Sequence, residues 1–300
     1  MKRIVEPLFY TVGFLVLFVW VLVVTEVKTE APYFDASGEV VTETEELSGE
    51  AHEEAEAALN PEAENPFSKK PSPDEAIAML REGNRRFAAG EALHPHLDAA
   101  RLAQAGSENQ GDHAYATVIT CSDSRVPVEA IFDAGVMDIF VVRVAGNVCD
   151  VDEAGSIEYG LAHVHTPVLV VLGHTQCGAV TAVTHALRGE GHALERNIPA
   201  LVDNIEPAVR RAMKAYPDLT GDALIPRAIE ENVWQSIEDL FMASPSTRDF
   251  VNNDQVKVVG AVYDVGTGRI EWLPQSGTLE VLERVEADDR RAMNAMAEPH

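Results

Sequence analysis

Cysteine is scarce in this chain of 300 residues, which contains only Cys121, Cys149 and Cys177. An odd number of cysteines at wide spacing does not form a disulfide framework, so a small scaffold held together by disulfide bonds is excluded. Each thiol is therefore a candidate for metal binding, for catalysis or for simple burial, and Cys149, which has no partner in any motif, is interpreted as a free thiol.

Positive charge is also scarce, because 23 Lys and Arg residues face 49 Asp and Glu residues and leave a formal net charge of −26. Proteins that bind nucleic acid carry a basic stripe, and this sequence shows none, which argues against nucleic acid and anionic lipid surfaces as partners. An acidic surface with little lysine would suit a saline habitat, where salt screens self-repulsion. Solubility measured against salt concentration tests that hypothesis.

One long apolar run is present, and it lies near the N-terminus, over residues 8–24. As a helix, at about 1.5 Å per residue, this run nearly crosses a hydrocarbon core of about 30 Å. The apolar core of a cleaved signal peptide is usually shorter, roughly 7–15 residues. We therefore favour an uncleaved single-pass anchor, with a helix over about residues 8–25, and keep the cleaved signal as the alternative. Lys2 and Arg3 outweigh Lys28, so the N-terminus should face the cytoplasm and the rest of the chain should lie on the periplasmic or extracytoplasmic side.

Composition divides the chain into four segments. We predict a membrane anchor over 1–28, an acidic flexible linker over 29–71, a folded domain over 72–280 and an acidic C-terminal tail over 281–300. The linker is poor in large apolar residues and cannot bury enough surface to offset its chain entropy.

The folded domain alternates between short apolar runs and helical patterns. A capping box at Ser72 and Glu75, with Pro73 between them, begins the first helix, and Gly90 ends it. Nearly continuous apolar strands with helical crossovers indicate an α/β fold whose parallel-rich sheet is flanked by helices on both faces. The predicted strands are 115–120, 138–144, 167–172, 256–264 and 269–273, and further helices are predicted at 96–105, 153–164, 178–188, 198–216 and 222–242, with a helical pattern from Glu280 onward.

Three metal-binding side chains follow two of these strands. Cys121 comes directly after the first strand, and His174 and Cys177 come directly after the third. Open parallel sheets place their sites at the carboxyl ends of the strands, and catalytic zinc takes three protein ligands of this kind with one open position. The main alternative is a Cys121–Cys177 disulfide in an oxidising compartment.

Asp123 and Arg125 lie beside the first predicted ligand. A carboxylate near zinc can accept a hydrogen bond from the bound water or can occupy the open position itself, and a paired Arg125 favours the first role. The alternative is an ordinary exposed ion pair, worth about 0–1 kcal/mol.

Four motifs, CSDSRVP, FVVRVAGN, GSIEYG and GHTQCGAV, together resemble the β-class carbonic anhydrases, over roughly residues 72–273 with the EGNRRFAAG segment included. The resemblance implies the fold of that class and one Zn²⁺ per chain, held by Cys121, His174 and Cys177. It implies that Asp123 and Arg125 form the catalytic dyad of a lyase, in which zinc-bound hydroxide hydrates carbon dioxide to bicarbonate. It also implies a homodimer or tetramer with pockets at the subunit interface.

Further site predictions follow from the same resemblance. The predicted substrate pocket contains Gln110, Phe140, Tyr159 and Gly178, although Phe140 also fits a strand core and Tyr159 a helix face. Family members with an inhibitory bicarbonate site carry Trp three residues before the first zinc cysteine; this chain has Val118 there, which predicts zinc open to water near neutral pH. Two alternative functions remain: hydrolysis of carbon disulfide or carbonyl sulfide on the same zinc, or a catalytically silent zinc-binding module.

Overall fold

A five-stranded sheet forms the centre of the computed structural model, which describes residues 66–191 and 193–296. The predicted anchor and most of the predicted linker lie outside the described residues. The strand order is β2-β1-β3-β4-β5, with β1 to β4 parallel and β5 antiparallel to β4. The strands are β1 (Ala116–Cys121), β2 (Ile139–Val144), β3 (Val168–His174), β4 (Lys257–Tyr263) and β5 (Ile270–Trp272).

Ten helices are found among the described residues, together with short 3₁₀ turns. They are α1 (Pro73–Ala89), α2 (Ala99–Ala105), α3 (Val128–Ile131), α4 (Val151–Ala162), α5 (Gly178–Ala186), α6 (Ile198–Asp203), α7 (Glu206–Ala215), α8 (Ile225–Ala243), α9 (Pro245–Asn252) and α10 (Gln275–Glu286). None of the described helices is long and apolar enough to cross a membrane.

Helices cover the sheet on both faces, as the continuous apolar strands predict. On one face Ile119 and Val171 pack with α4, α8 and α10. On the other face Val118 and Val170 pack with Leu80 of α1 and with α3. Each large apolar side chain buried in this way stabilises the fold by about 1.5–3 kcal/mol, and the parallel-rich α/β prediction is confirmed.

Several predicted element boundaries are wrong for identifiable reasons. The helix predicted over 198–216 is two helices, α6 and α7, because Pro207 lies in the first turn of α7 and cannot donate a backbone hydrogen bond. The helix predicted from residue 222 starts at Ile225, after a 3₁₀ turn. Helix α10 crosses the predicted domain boundary at 280, since its residues Val281, Leu282 and Val285 are buried in the core.

Candidate metal centre

Three potential ligand atoms meet at the carboxyl edge of the sheet. Cys121 is the last residue of β1, His174 is the last residue of β3, and Cys177 directly precedes α5. The two sulfur atoms and an imidazole nitrogen all lie within 4.8 Å of one another. The three residues are 5%, 0% and 1% exposed, so a group bound among them would be shielded from solvent. The structure therefore brings together the three ligands that the sequence predicts.

His174 is prepared to act as a ligand. Its Nδ1 lies 3.0 Å from the carbonyl oxygen of Thr175, which can only accept, so Nδ1 carries the proton. Nε2 is then the unprotonated nitrogen, and it is buried without any hydrogen-bond partner. A buried polar atom without a partner costs about 1–3 kcal/mol, and a metal ion between Nε2 and the thiols would satisfy it.

The two thiols share a hydrogen bond that favours the thiolate of Cys121 and keeps the proton on Cys177. The pKa of Cys121 is lowered to about 4, chiefly because the Cys177 thiol hydrogen-bonds to it and also because Gly146 N–H donates to its sulfur at 3.2 Å. The pKa of Cys177 is raised, first by that shared hydrogen bond and then by burial. The backbone N–H groups of Ala179 and Val180 point at the Cys177 sulfur and favour its thiolate. All three cysteines of the chain are free, which disagrees with the disulfide alternative for Cys121 and Cys177.

Asp123 and Arg125 form a bidentate ion pair next to the thiols. Arg125 Nε donates to Asp123 Oδ1 at 2.9 Å, Nη2 donates to Oδ2 at 2.7 Å, and the Arg125 backbone N–H adds a bond of 2.9 Å to Oδ1. The pKa of Asp123 is therefore held well below its usual range, mainly by the Arg125 side chain, and the carboxylate stays ionised. Its Oδ2 lies 4.0 Å from His174 Nε2. The carboxylate thus borders the candidate metal position while Arg125 holds it.

The ion pair is fastened to the loop that joins two of the ligands. Arg125 Nη2 donates to the carbonyl oxygen of Gln176 at 3.1 Å, and Nη1 donates to Gln176 Oε1 at 3.3 Å. Gln176 lies between His174 and Cys177 and has a φ of +58°. Unlike an isolated surface pair, this ion pair is therefore tied to the loop that carries His174 and Cys177.

Sequence reasoning missed the role of Arg143 on β2. Its Nη2 donates to the carbonyl oxygen of Asp123 at 2.7 Å, and its Nε donates to that of Cys121 at 3.2 Å. One guanidinium therefore fixes the backbone on which the first ligand and the carboxylate stand. The signal was present in the FVVRVAGN motif, but nothing in the motif shows where the side chain points.

The predicted pocket residues do not all reach the metal centre within one chain. Phe140 pairs with Thr117, whereas Cys121 pairs with Val144, four residues or about 13 Å further along the sheet. Tyr159 lies beside Phe140, with ring centroids 6.0 Å apart, and is 51% exposed. Gln110 is exposed in the turn before β1. Gly178, by contrast, directly follows Cys177, and open space lies where its Cβ would be.

Comparison with known proteins identifies the family. A family model described as "Carbonic anhydrase" matches residues 116–270, which is just over half of the chain. A carbonic anhydrase of Mycolicibacterium smegmatis is 36% identical over 208 residues, covering 69% of this chain and 97% of that protein. Carbonic anhydrase 2 of Mycobacterium tuberculosis is 32% identical over 198 residues, covering 66% and 91%. The chain therefore belongs to the carbonic anhydrase family.

Solved structures with a similar fold are β-carbonic anhydrases. A β-carbonic anhydrase of Aspergillus fumigatus superposes with a TM-score of 0.52 at 24% identity, over 72% of this chain and 99% of that one. Structures described as two tetrameric β-carbonic anhydrases of Sordaria macrospora give a TM-score of 0.50 at 24% identity, over 66% and 97%. The chain therefore has the fold of the β-carbonic anhydrases, as the four motifs predict.

Proposed function

We infer that this protein catalyses the reversible hydration of carbon dioxide to bicarbonate and a proton, with one zinc ion held by Cys121, His174 and Cys177. The observation that carries the assignment to these residues is the buried Nε2 of His174, which has no hydrogen-bond partner in the protein and lies within 4.8 Å of two thiol sulfur atoms. A thiolate–imidazole–thiolate set suits zinc in its three-ligand catalytic form.

Zinc bound at this position supplies a Lewis acid that makes water a nucleophile near neutral pH. The protein supplies the orientation. Asp123 keeps lone pairs that are not used by Arg125, and these accept a hydrogen bond from the attacking water, so that an oxygen lone pair faces carbon dioxide. Arg125 prevents the carboxylate from turning into the metal position, because three hydrogen bonds hold Asp123 in place.

Stopped-flow measurement of carbon dioxide hydration, with zinc content determined on the same sample of full-length chain, tests this function. We expect rapid hydration with about one zinc per chain. Zinc without hydration would support hydrolysis of carbon disulfide or carbonyl sulfide, or a silent module, and turnover of these sulfur compounds would separate the two. The Asp123–Arg125 pair favours hydration over the silent module, since a structural zinc site needs neither residue.

The site is completed, in our proposal, by a second copy of the chain. Gln110, Phe140 and Tyr159 lie near the opposite end of β1 from the metal centre, and β2 is an edge strand whose apolar residues Ile139 and Val141 are only half-buried. An exposed apolar edge is typical of a subunit interface. The tetrameric Sordaria macrospora enzymes of similar fold support a homodimer or tetramer.

A mixed dimer tests the shared pocket. One chain carries Asp123→Ala and the other carries Gln110→Ala with Tyr159→Ala, and two different affinity tags isolate the heterodimer. If pockets are shared across the interface, one of its two sites is fully native and about half of the wild-type activity returns. If each chain builds its own pocket, both sites are damaged and the heterodimer stays inactive.

Zinc open to water near neutral pH is the expected behaviour, because Val118 stands where the bicarbonate-inhibited members carry Trp. Val118 is fully buried in the sheet. The pH profile of hydration tests this point, and a sharp collapse of activity below pH 8 would contradict it.

Residues 1–28 anchor the protein in a membrane in our proposal, with the catalytic domain on the periplasmic or extracytoplasmic side. The uncharged run over residues 8–24 and the positive charges of Lys2 and Arg3 support this arrangement. Extraction of membranes with alkaline carbonate tests the anchor, and protease treatment of intact and of permeabilised spheroplasts tests the side. Release by carbonate would contradict anchoring, and protection from protease in intact spheroplasts would contradict the orientation.

A further inference from the structure

The turn Ala145–Asn147, between β2 and α4, touches the metal centre through its backbone. Gly146 N–H donates to the sulfur of Cys121 at 3.2 Å, in a buried position. Gly146 has a φ of +77°, and a Cβ there would lie 2.7 Å from Ile205 Cδ1, so both the conformation and the space require glycine. A glycine backbone is conformationally permissive, so a contact from outside the turn is needed to hold Gly146 in this position.

Two side chains of helix α8 supply this contact by binding carbonyl groups of the turn. Asn232, 1% exposed, donates its Nδ2 to the carbonyl oxygen of Gly146 at 2.8 Å. One helical turn later, Ser236, 2% exposed, places its Oγ 2.7 Å from the carbonyl oxygen of Asn147. The two side chains lie on the same face of α8, since they are four residues apart. Together they fix the carbonyl groups of two successive peptides, Gly146–Asn147 and Asn147–Val148, and so hold the turn in place directly after the Cα of Gly146.

Stability alone does not account for Asn232. Its neighbours on α8, Ile229, Val233 and Ile237, are buried and apolar, so the amide stands in an apolar surrounding. Its Oδ1 is buried without a hydrogen-bond partner in the structure. An unpaired buried oxygen destabilises the fold by about 1–3 kcal/mol, which offsets the bond made by Nδ2. The well-defined contribution of this residue is therefore to hold Gly146 in place through its carbonyl group.

We propose that Asn232 is a positioning residue for the metal centre, which holds Gly146 where its N–H reaches the Cys121 sulfur and thereby sets how strongly this thiolate donates to the metal. A hydrogen bond to a ligating sulfur withdraws charge from it and changes metal affinity and electronic structure. Ser236 assists by holding the next peptide. The inference rests on the zinc site of the proposed function and adds a residue 86 positions away from the turn it holds.

The test uses the full-length chain with cobalt(II) in place of zinc. Asn232→Ala should shift the thiolate-to-cobalt charge-transfer band and should weaken zinc binding, measured by chelator competition, by about 10–100-fold. Asn84→Ala is the matched control, because Asn84 is also buried (6% exposed) and its Nδ2 donates to a backbone carbonyl oxygen, that of Gly268, at 2.8 Å. This contact does not involve the turn Ala145–Asn147. The control should lose thermal stability but keep the band and the affinity.

Two results would overturn the inference. If Asn232→Ala changes only stability, as the control does, the residue is a packing residue and the proposal is wrong. If the wild-type chain itself binds neither cobalt nor zinc, the metal site of the proposed function fails, and this is seen before any variant is made. Should Asn232→Ala not fold, Ser236→Ala carries the test, with the same direction of band shift expected and an unchanged band contradicting the proposal.

Discussion

Replacing Asp123 by Asn is the sharpest perturbation of the proposed chemistry. The side chain keeps its size but loses its charge and one of its two acceptor oxygens. In the native protein both carboxylate oxygens accept from Arg125, and Oδ2 also borders the ligand nitrogen of His174 at 4.0 Å. The amide can either satisfy Arg125 or accept from the attacking water, and its NH₂ group opposes one of these donors.

The expected loss is in turnover and not in metal content. A positioned group that accepts a hydrogen bond in the transition state contributes about 10²–10⁴-fold, so kcat/KM should fall by roughly this factor, or about 3–5 kcal/mol of transition-state stabilisation. The effect on folding should be much smaller, because Arg125 is 45% exposed and solvent screens the pair. Zinc should stay near one per chain, since Cys121, His174 and Cys177 are unchanged.

A second Asp–Arg pair provides a matched control. Asp288 accepts from Arg290 Nε at 3.0 Å, from its Nη2 at 2.5 Å and from its backbone N–H at 2.9 Å, which repeats the geometry of the first pair far along the chain. Stopped-flow hydration and zinc analysis should show Asp288→Asn to be as active as wild type. If Asp123→Asn is also as active with full zinc, Asp123 has no part in orienting water and the proposed mechanism is wrong.

Other predictions concern groups away from the reaction. Burial raises the pKa of Asp239 from 3.8 to about 6. Its ionisation therefore lowers the free energy of unfolding as pH rises from about 4 to 6, by up to about 3 kcal/mol at about 1.36 kcal/mol per pKa unit. In Asp239→Asn the free energy of unfolding, measured with urea, should depend less on pH over this window, and an unchanged pH dependence would contradict this prediction. Burial also raises the pKa of the Cys149 thiol, so a thiol reagent should modify it only on unfolding, and Cys149→Ala should keep kcat/KM within about twofold. In Gly83→Ala the new Cβ would lie 1.8 Å from the carbonyl oxygen of Phe132, so thermal unfolding should show a loss of about 3 kcal/mol or more, whereas Gly106→Ala, with ordinary contacts, should stay within about 1 kcal/mol.

Local signals in the sequence predicted local structure well. The capping box of Ser72 and Glu75 is formed, and Gly90 ends α1 in the left-handed conformation with a φ of 73°. Both features depend on residues only three or four positions apart, which is why the sequence shows them directly. Helix α9 was not predicted, because its eight residues carry no apolar run long enough to stand out from the loop around them.

The metal ligands were predictable for a topological reason. Cys121 and His174 end neighbouring parallel strands, and all strands of such a sheet deliver their last residues to one edge. The contacts that support the ligands follow no such rule. Asn232 reaches Gly146 from a helix 86 residues later, and Arg143 reaches back to Cys121 from an exposed position on β2, so only the packed structure reveals them.

The same three-residue pattern, Asp-x-Arg, occurs at 123–125 and at 288–290 and folds into the same bidentate pair at both places. The two ion pairs are therefore alike in their local chemistry, because in each pair the Arg side chain is the main cause of the lowered pKa of the Asp carboxylate. What differs is the neighbourhood, because only the first pair stands at the carboxyl edge of the sheet, 4.0 Å from an imidazole nitrogen that has no protein partner. Catalytic capacity in this chain thus follows from where the sheet places a common motif, and the comparison of Asp123→Asn with Asp288→Asn measures that contribution of position directly.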